Sequence, residues 1–175
     1  MPNRRRHRSM LRDLLAGNLG LVVCGTVAGR GSAELGRYYA GPGNRFWRTL
    51  AEVGLTPHVL APADYEQLLR FGIGLTDLIK GQAGRDDQVP FARADAMALR
   101  AKVMLYQPRY LCFNGKRAAR EFLRRPEVEY GVQAERIGRT VLFIAPSTSR
   151  SANAFWDLSI WHDLAGRVLR RNRPR

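Results

Sequence analysis

The chain alternates between short uninterrupted apolar runs and longer stretches in which apolar residues recur at helical spacing. Leu21-Val-Val-Cys24 is the first such run, and Arg109-Tyr-Leu-Cys-Phe113 and Thr140-Val-Leu-Phe-Ile144 are two more. Runs this short, bounded by turn residues, predict strands covered on both faces, placed at 20–24, 109–113 and 140–144. Phe46, Trp47, Leu50 and Val53 fall on one helical face and predict a helix over 44–53, ended by Gly54. Pro62 opens a second helix through Tyr65, Leu68 and Leu69 to Arg70, and a longer one over 91–106 stops before Pro108. Another covers 116–124. From about 154 the stripe Phe155, Trp156, Leu158, Trp161, Leu164 and Val168 predicts a final helix. A short helix is expected over 10–17. Gly72–Ile79 reads as a short extended segment entering a polar loop at 80–90.

Strands alternating with helices predict one α/β domain over 9–170, a three-layer α/β/α sandwich with a central, mainly parallel sheet. In such a sheet the loops that follow the strands emerge on one edge. The glycine-rich loop after the first strand, with Gly25, Gly29 and Gly31, lets a ligand approach the backbone closely. The loops at Asn114 and Ser147 should converge beside it.

Charge then narrows the ligand. The 175 residues carry 29 Lys plus Arg against 15 Asp plus Glu, a formal net charge of +14, in a chain that is 45% hydrophobic. A folded domain with that imbalance is expected to face a polyanion, with nucleic acid the first candidate. Arg4, Arg5, Arg6 and Arg8 and Arg170, Arg171, Arg173 and Arg175 read as basic flexible ends, 1–8 and 171–175, that add non-specific phosphate attraction. Cys24 and Cys112 lie in apolar strands and read as buried, reduced thiols. His7, His58 and His162 lack ligand-like spacing, so no metal is expected. Arg12 and Asp13 interrupt any signal-like segment, and a soluble, cytoplasmic monomer with no membrane partner is the expectation.

Four segments, Gly25-Thr-Val-Ala-Gly29, Gly41-Pro-Gly-Asn-Arg-Phe-Trp47, Phe113-Asn-Gly-Lys116 and Ala145-Pro-Ser-Thr-Ser-Arg150, stand in this order along the chain. In that order and spacing they resemble the uracil-DNA glycosylase superfamily, in particular its mismatch-specific uracil/thymine and hypoxanthine-DNA glycosylase branches. The resemblance spans about residues 10–168. It implies the same sandwich, and hydrolysis of the bond between a damaged base and deoxyribose on a nucleotide turned out of the helix. It implies no cofactor.

The resemblance assigns parts to residues. Tyr39 falls where the mismatch-specific branch stacks the flipped base, while Tyr38 reads as structural. Asn44 matches a catalytic asparagine of the hypoxanthine branch, although an asparagine before an amphipathic run is also a favoured helix cap. Asn114 matches an asparagine that reads the base edge; otherwise it is a turn residue before Gly115. Gly25 and Val27 line the base site. Val27 is a departure, because relatives carry asparagine or aspartate there and valine cannot hold a water. Asp77 in Leu75-Thr-Asp-Leu78 is the candidate to orient water or stabilise an oxocarbenium ion, with Glu34 as a weaker one. Ser147, Thr148, Ser149 and Arg150 match the loop that enters the minor groove, where Arg150 can fill the vacated stack. Their bland alternative is a helix-entry turn.

These residues predict a monofunctional glycosylase acting on DNA that contains a deaminated base, uracil first and hypoxanthine or xanthine next. The alternatives are a binder of DNA lesions or abasic sites that lost catalysis with Val27, and a single-strand RNA-binding domain supported only by charge and aromatics.

Overall fold

In the computed structural model, which describes residues 11–170, the strand β1 (Leu21–Ala28) is buried along its whole length. A strand with neighbours on both edges and helices on both faces has no position for a polar side chain to reach water, hence its unbroken apolar start. The five strands run in the order β2 (Ile73–Ala83), β1, β3 (Tyr110–Asn114), β5 (Thr140–Ala145), β4 (Gly131–Ile137). All pairings are parallel except β4 with β5.

Leu21 and Val23 of β1, Ile73 and Leu75 of β2 and Phe143 of β5 pack one face against α2 (Phe46–Glu52), the 3₁₀ segment Pro62–Phe71 and α5 (Leu158–Leu169). Val22, Leu111, Phe113 and Ile144 pack the other against α3 (Arg93–Tyr106) and α4 (Lys116–Leu123). This is the expected three-layer sandwich. Cys24 and Cys112 are both buried and unpaired within it.

Several elements differ from the sequence expectation. Residues 10–17 do not form a helix where they are described. Instead Leu14 pairs antiparallel with Leu75, with N–H···O bonds of 2.8 and 2.9 Å, and covers the outer edge of β2. A short helix is costly to nucleate, whereas an open sheet edge offers hydrogen bonds already in place. Gly74 makes the approach possible, since a Cβ there would lie 2.5 Å from the Leu14 carbonyl oxygen. β2 runs on to Ala83 rather than turning to loop at 80, and β1 extends to Ala28. Arg30–Leu35 forms a short helix, α1, inside the first loop. β4 was not expected at all. The helix expected from Pro62 is present over Pro62–Phe71, as a 3₁₀ segment. The C-terminal helix begins at Leu158 after a 3₁₀ turn over Arg150–Phe155, which leaves Phe155 exposed rather than in the buried stripe. The basic ends, with His7, lie outside the described residues apart from exposed Arg170. Among the described residues no helix is long and apolar enough to cross a membrane.

Candidate active site

The parallel strands β1, β3 and β5 end on one edge of the sheet, and a cleft of about 540 Å³ opens there. Tyr39 and Asn114, far apart in the chain, line the same hollow with Gly25, Val27, Asn44 and Asp77. The Ser147–Arg150 loop forms another wall.

The floor depends on one glycine. Gly25 of β1 is in register with Asp77 of β2, and a Cβ at Gly25 would sit 2.5 Å from Asp77 Oδ1. The bare backbone is what admits the carboxyl group. Asp77 is almost completely buried, and loss of hydration pushes its pKa up to about 6, an effect opposed chiefly by the Lys80 charge. Lys80 is itself fixed by Asp13, 2.9 Å away, and its amine is 3.4 Å from the Tyr38 hydroxyl oxygen. Asp13 also pairs with Lys102 and accepts from Thr76. The segment strapped across the β2 edge thus carries the anion that holds the cation nearest in influence to Asp77.

Tyr38 is buried and also borders the cleft; its carbonyl accepts from the Trp47 indole at 3.2 Å. Tyr39 takes a left-handed backbone, φ +51°, unusual for an aromatic residue and a departure that tends to mark functional sites. One face of its ring is stacked on Phe46 at a centroid distance of 4.0 Å. Its hydroxyl points to the Gly25 backbone, 3.4 Å from the position a Cβ would occupy. That hydroxyl is buried and has no hydrogen-bond partner among the described residues. The Asn114 side chain lies within hydrogen-bonding influence of it and works to lower its pKa, against the larger effect of burial. Burial holds the phenol well above its usual pKa and therefore protonated.

Asn114 ends β3 and its amide spans to the next loop. Its Oδ1 accepts from the Thr148 N–H at 3.0 Å and its Nδ2 donates to the Thr148 hydroxyl at 2.9 Å. One N–H and one lone pair remain beyond this clamp. Gly115, with φ +111°, lets the loops abut, since a Cβ would meet that of Ser147 at 3.1 Å. Thr148 was expected with its neighbours to meet DNA, but its side chain is fully buried and turned to Asn114; Ser147, Ser149 and Arg150 supply the accessible groups of the loop. The stem of Arg150 packs over Gly43 on the facing rim.

Asn44 precedes Arg45, the N-cap of α2, and shapes the turn into the helix: its Oδ1 accepts from the Phe46 N–H at 3.0 Å, and that bond does not use its amino group. Val27 lines the cleft while packing into the apolar cluster of the α3–α4 face. Glu34 is exposed on α1 and does not line the cleft. Arg85, Asp86 and Arg117, not singled out in the sequence, also line it, Arg117 donating to the Asp86 carbonyl at 2.8 Å. The polar loop at 80–90 is the only signal for Arg85 and Asp86, and nothing in the sequence marks Arg117. No group of three or more His, Cys, Asp or Glu suited to a metal occurs among the described residues.

Residues 13–165 match the model of the uracil DNA glycosylase superfamily. The fold is similar to the solution NMR structure of a candidate uracil DNA glycosylase from Methanosarcina acetivorans, at 23% identity, with a TM-score of 0.64 over 92% of this chain and 98% of that one. With the family model spanning nearly all of the sandwich and every loop of the cleft, the chain belongs to the uracil DNA glycosylase superfamily.

Proposed function

We propose that this protein is a monofunctional DNA glycosylase that hydrolyses the N-glycosidic bond of a deaminated base, uracil first and hypoxanthine or xanthine next, after the manner of the mismatch-specific and hypoxanthine branches. The observation that carries the reading is the buried Asp77 carboxyl group facing the hollow that Tyr39 and Asn114 share. Ionised, it orients a water toward C1′ and offsets positive charge on the sugar as the bond opens, both of which are strongest in a dry site. The Asn44 amino group aids in holding that water. Tyr39 offers its ring to the extruded base, and the remaining Asn114 donor and acceptor meet the base edge beside Gly25 and Val27. Ser147, Ser149 and Arg150 meet the backbone and the vacated stack, and the net positive charge supplies general attraction to DNA.

The lysines support hydrolysis rather than imine chemistry. Lys80 and Lys102 are tied to Asp13, and Lys116, which borders the cleft, holds its amine 4.5 Å over the Tyr130 ring. The product is then an abasic site in an intact strand.

A second reading, a binder of lesions or abasic sites, is favoured by one observation: Val27 puts an apolar side chain in the cleft where relatives carry a polar one. Incubation with uracil-containing duplex and measurement of free base separates the two. Released uracil with an unbroken strand is the expected result, and a tight complex without release, unaltered by Asn44→Ala, supports the binder.

A further inference from the structure

The Tyr39 hydroxyl is the one polar group of the hollow that is protonated, buried and without a partner among the described residues. Proteins seldom leave such a group unpaired, because it has given up its bonds to water without replacing them, so an oxygen or nitrogen from outside is expected to complete it. The ring is held by Phe46 on one face and by an unusual backbone conformation, which fixes where the hydroxyl points. It points to the bare Gly25 backbone, the place where the Asp77 carboxyl group also arrives.

We propose that the Tyr39 hydroxyl is a catalytic hydrogen-bond donor to a carbonyl oxygen of the departing base. This rests on the glycosylase reading, and it brings the base to the hydroxyl edge of the Tyr39 ring rather than onto its face. When the C1′–N bond breaks, its electron pair leaves with the base and spreads onto the carbonyl oxygens of an oxo base. Water adds to C1′ and gives up a proton, which the released base finally takes, so sugar and base leave as alcohol and neutral base. The hydroxyl keeps its own proton throughout. Its hydrogen bond strengthens as the oxygen becomes anionic, which is the condition for lowering the barrier rather than merely binding substrate. A donor at this place suits uracil, hypoxanthine and xanthine, whose deamination replaced an amino group by a carbonyl.

Tyr39→Phe keeps the ring and removes only the donor, and comparison of uracil with 5-fluorouracil as leaving base tests its part. The fluorine makes the departing base a weaker base that needs less help. Single-turnover release of uracil should fall about 10- to 100-fold in Tyr39→Phe, and that of 5-fluorouracil by less than about fivefold, with the urea midpoint unchanged or raised. Equal losses on both bases, or no loss on either, overturn the donor while leaving the glycosylase reading in place. A wild-type protein that releases neither base removes both.

Discussion

Asp77 Oδ1 stands where the side chain of Gly25 would begin, 2.5 Å from the position of a Cβ. The two residues face each other in register on adjacent parallel strands. A buried carboxyl group and the absence of a side chain are therefore one feature, and Gly25→Ala tests it. The methyl group would meet an oxygen held inside the sheet, so either Asp77 or the strand must move. Base release should fall at least about 100-fold, with a stability loss of about 1–3 kcal/mol by urea unfolding and unchanged non-specific DNA affinity.

Asp77 also sets a pH dependence. Its pKa is raised to about 6 by burial, so the ionised form the mechanism uses is lost as pH falls through that value. Base release in the wild type should drop tenfold per unit below about pH 6, and residual activity of Asp77→Asn should show no such limb. Stability carries the opposite sign. A carboxyl group whose folded pKa lies above its unfolded value of 3.8 favours folding when protonated, and that contribution fades as pH rises from about 4 to about 6. Asp77→Asn should therefore be more stable than wild type at pH 8, by up to about 3 kcal/mol, with a smaller gain at pH 4. Equal stability at both would remove the buried charge from the account.

Asn44 has two separable parts. Asp at this position still accepts from the Phe46 N–H but cannot donate, whereas Ala does neither. Asn44→Asp should hold stability within about 0.5 kcal/mol and lose base release about tenfold or more, while Asn44→Ala should lose both, with about 1 kcal/mol of stability. Retained activity in Asn44→Asp would leave the residue a turn former only.

Asn114 and Thr148 should behave as a coupled pair. Asn114→Ala breaks both bonds to Thr148 and leaves a buried N–H and hydroxyl unpaired, at a cost of about 3 kcal/mol. Thr148→Val keeps the shape and gives up only the hydroxyl. It should cost about 1 kcal/mol, yet lower base release because Asn114 is no longer oriented. Measured stabilities and release rates of the single and double variants check this, and additive effects would contradict it.

The elements legible in the sequence are those whose burial imposes a pattern. β1, β3 and β5 are covered on both faces and read as apolar runs, and α2, α3 and α4 follow from spacing, capping and the stop at Pro108. β4 is an edge strand whose residues Gln133, Glu135 and Arg136 meet water or flank it, so nothing in it looks like a buried strand. β2 looks short in the sequence because Gly74, Asp77, Lys80 and Gly81 interrupt its pattern, and each has its own reason: the Leu14 approach, the cleft, the Asp13 pair and a φ of +76°. The convergence of the loops after β1, β3 and β5 follows from the parallel topology and is legible, whereas the place of Asp77 on β2, beside Gly25, is not. The Asn114–Thr148 clamp, across 34 residues, and the inward turn of Thr148 were not, because no local pattern marks a long-range side-chain bond.

The central claim is that one extruded base enters the hollow between Tyr39 and Asn114 with its sugar facing Asp77. The most direct test is a crystal structure of Asp77→Asn bound to duplex DNA containing one uracil. The account predicts uracil out of the helix, a carbonyl oxygen within hydrogen-bonding distance of the Tyr39 hydroxyl, and C1′ facing residue 77. Uracil left in the stack, or lodged away from the Gly25 backbone, would contradict it.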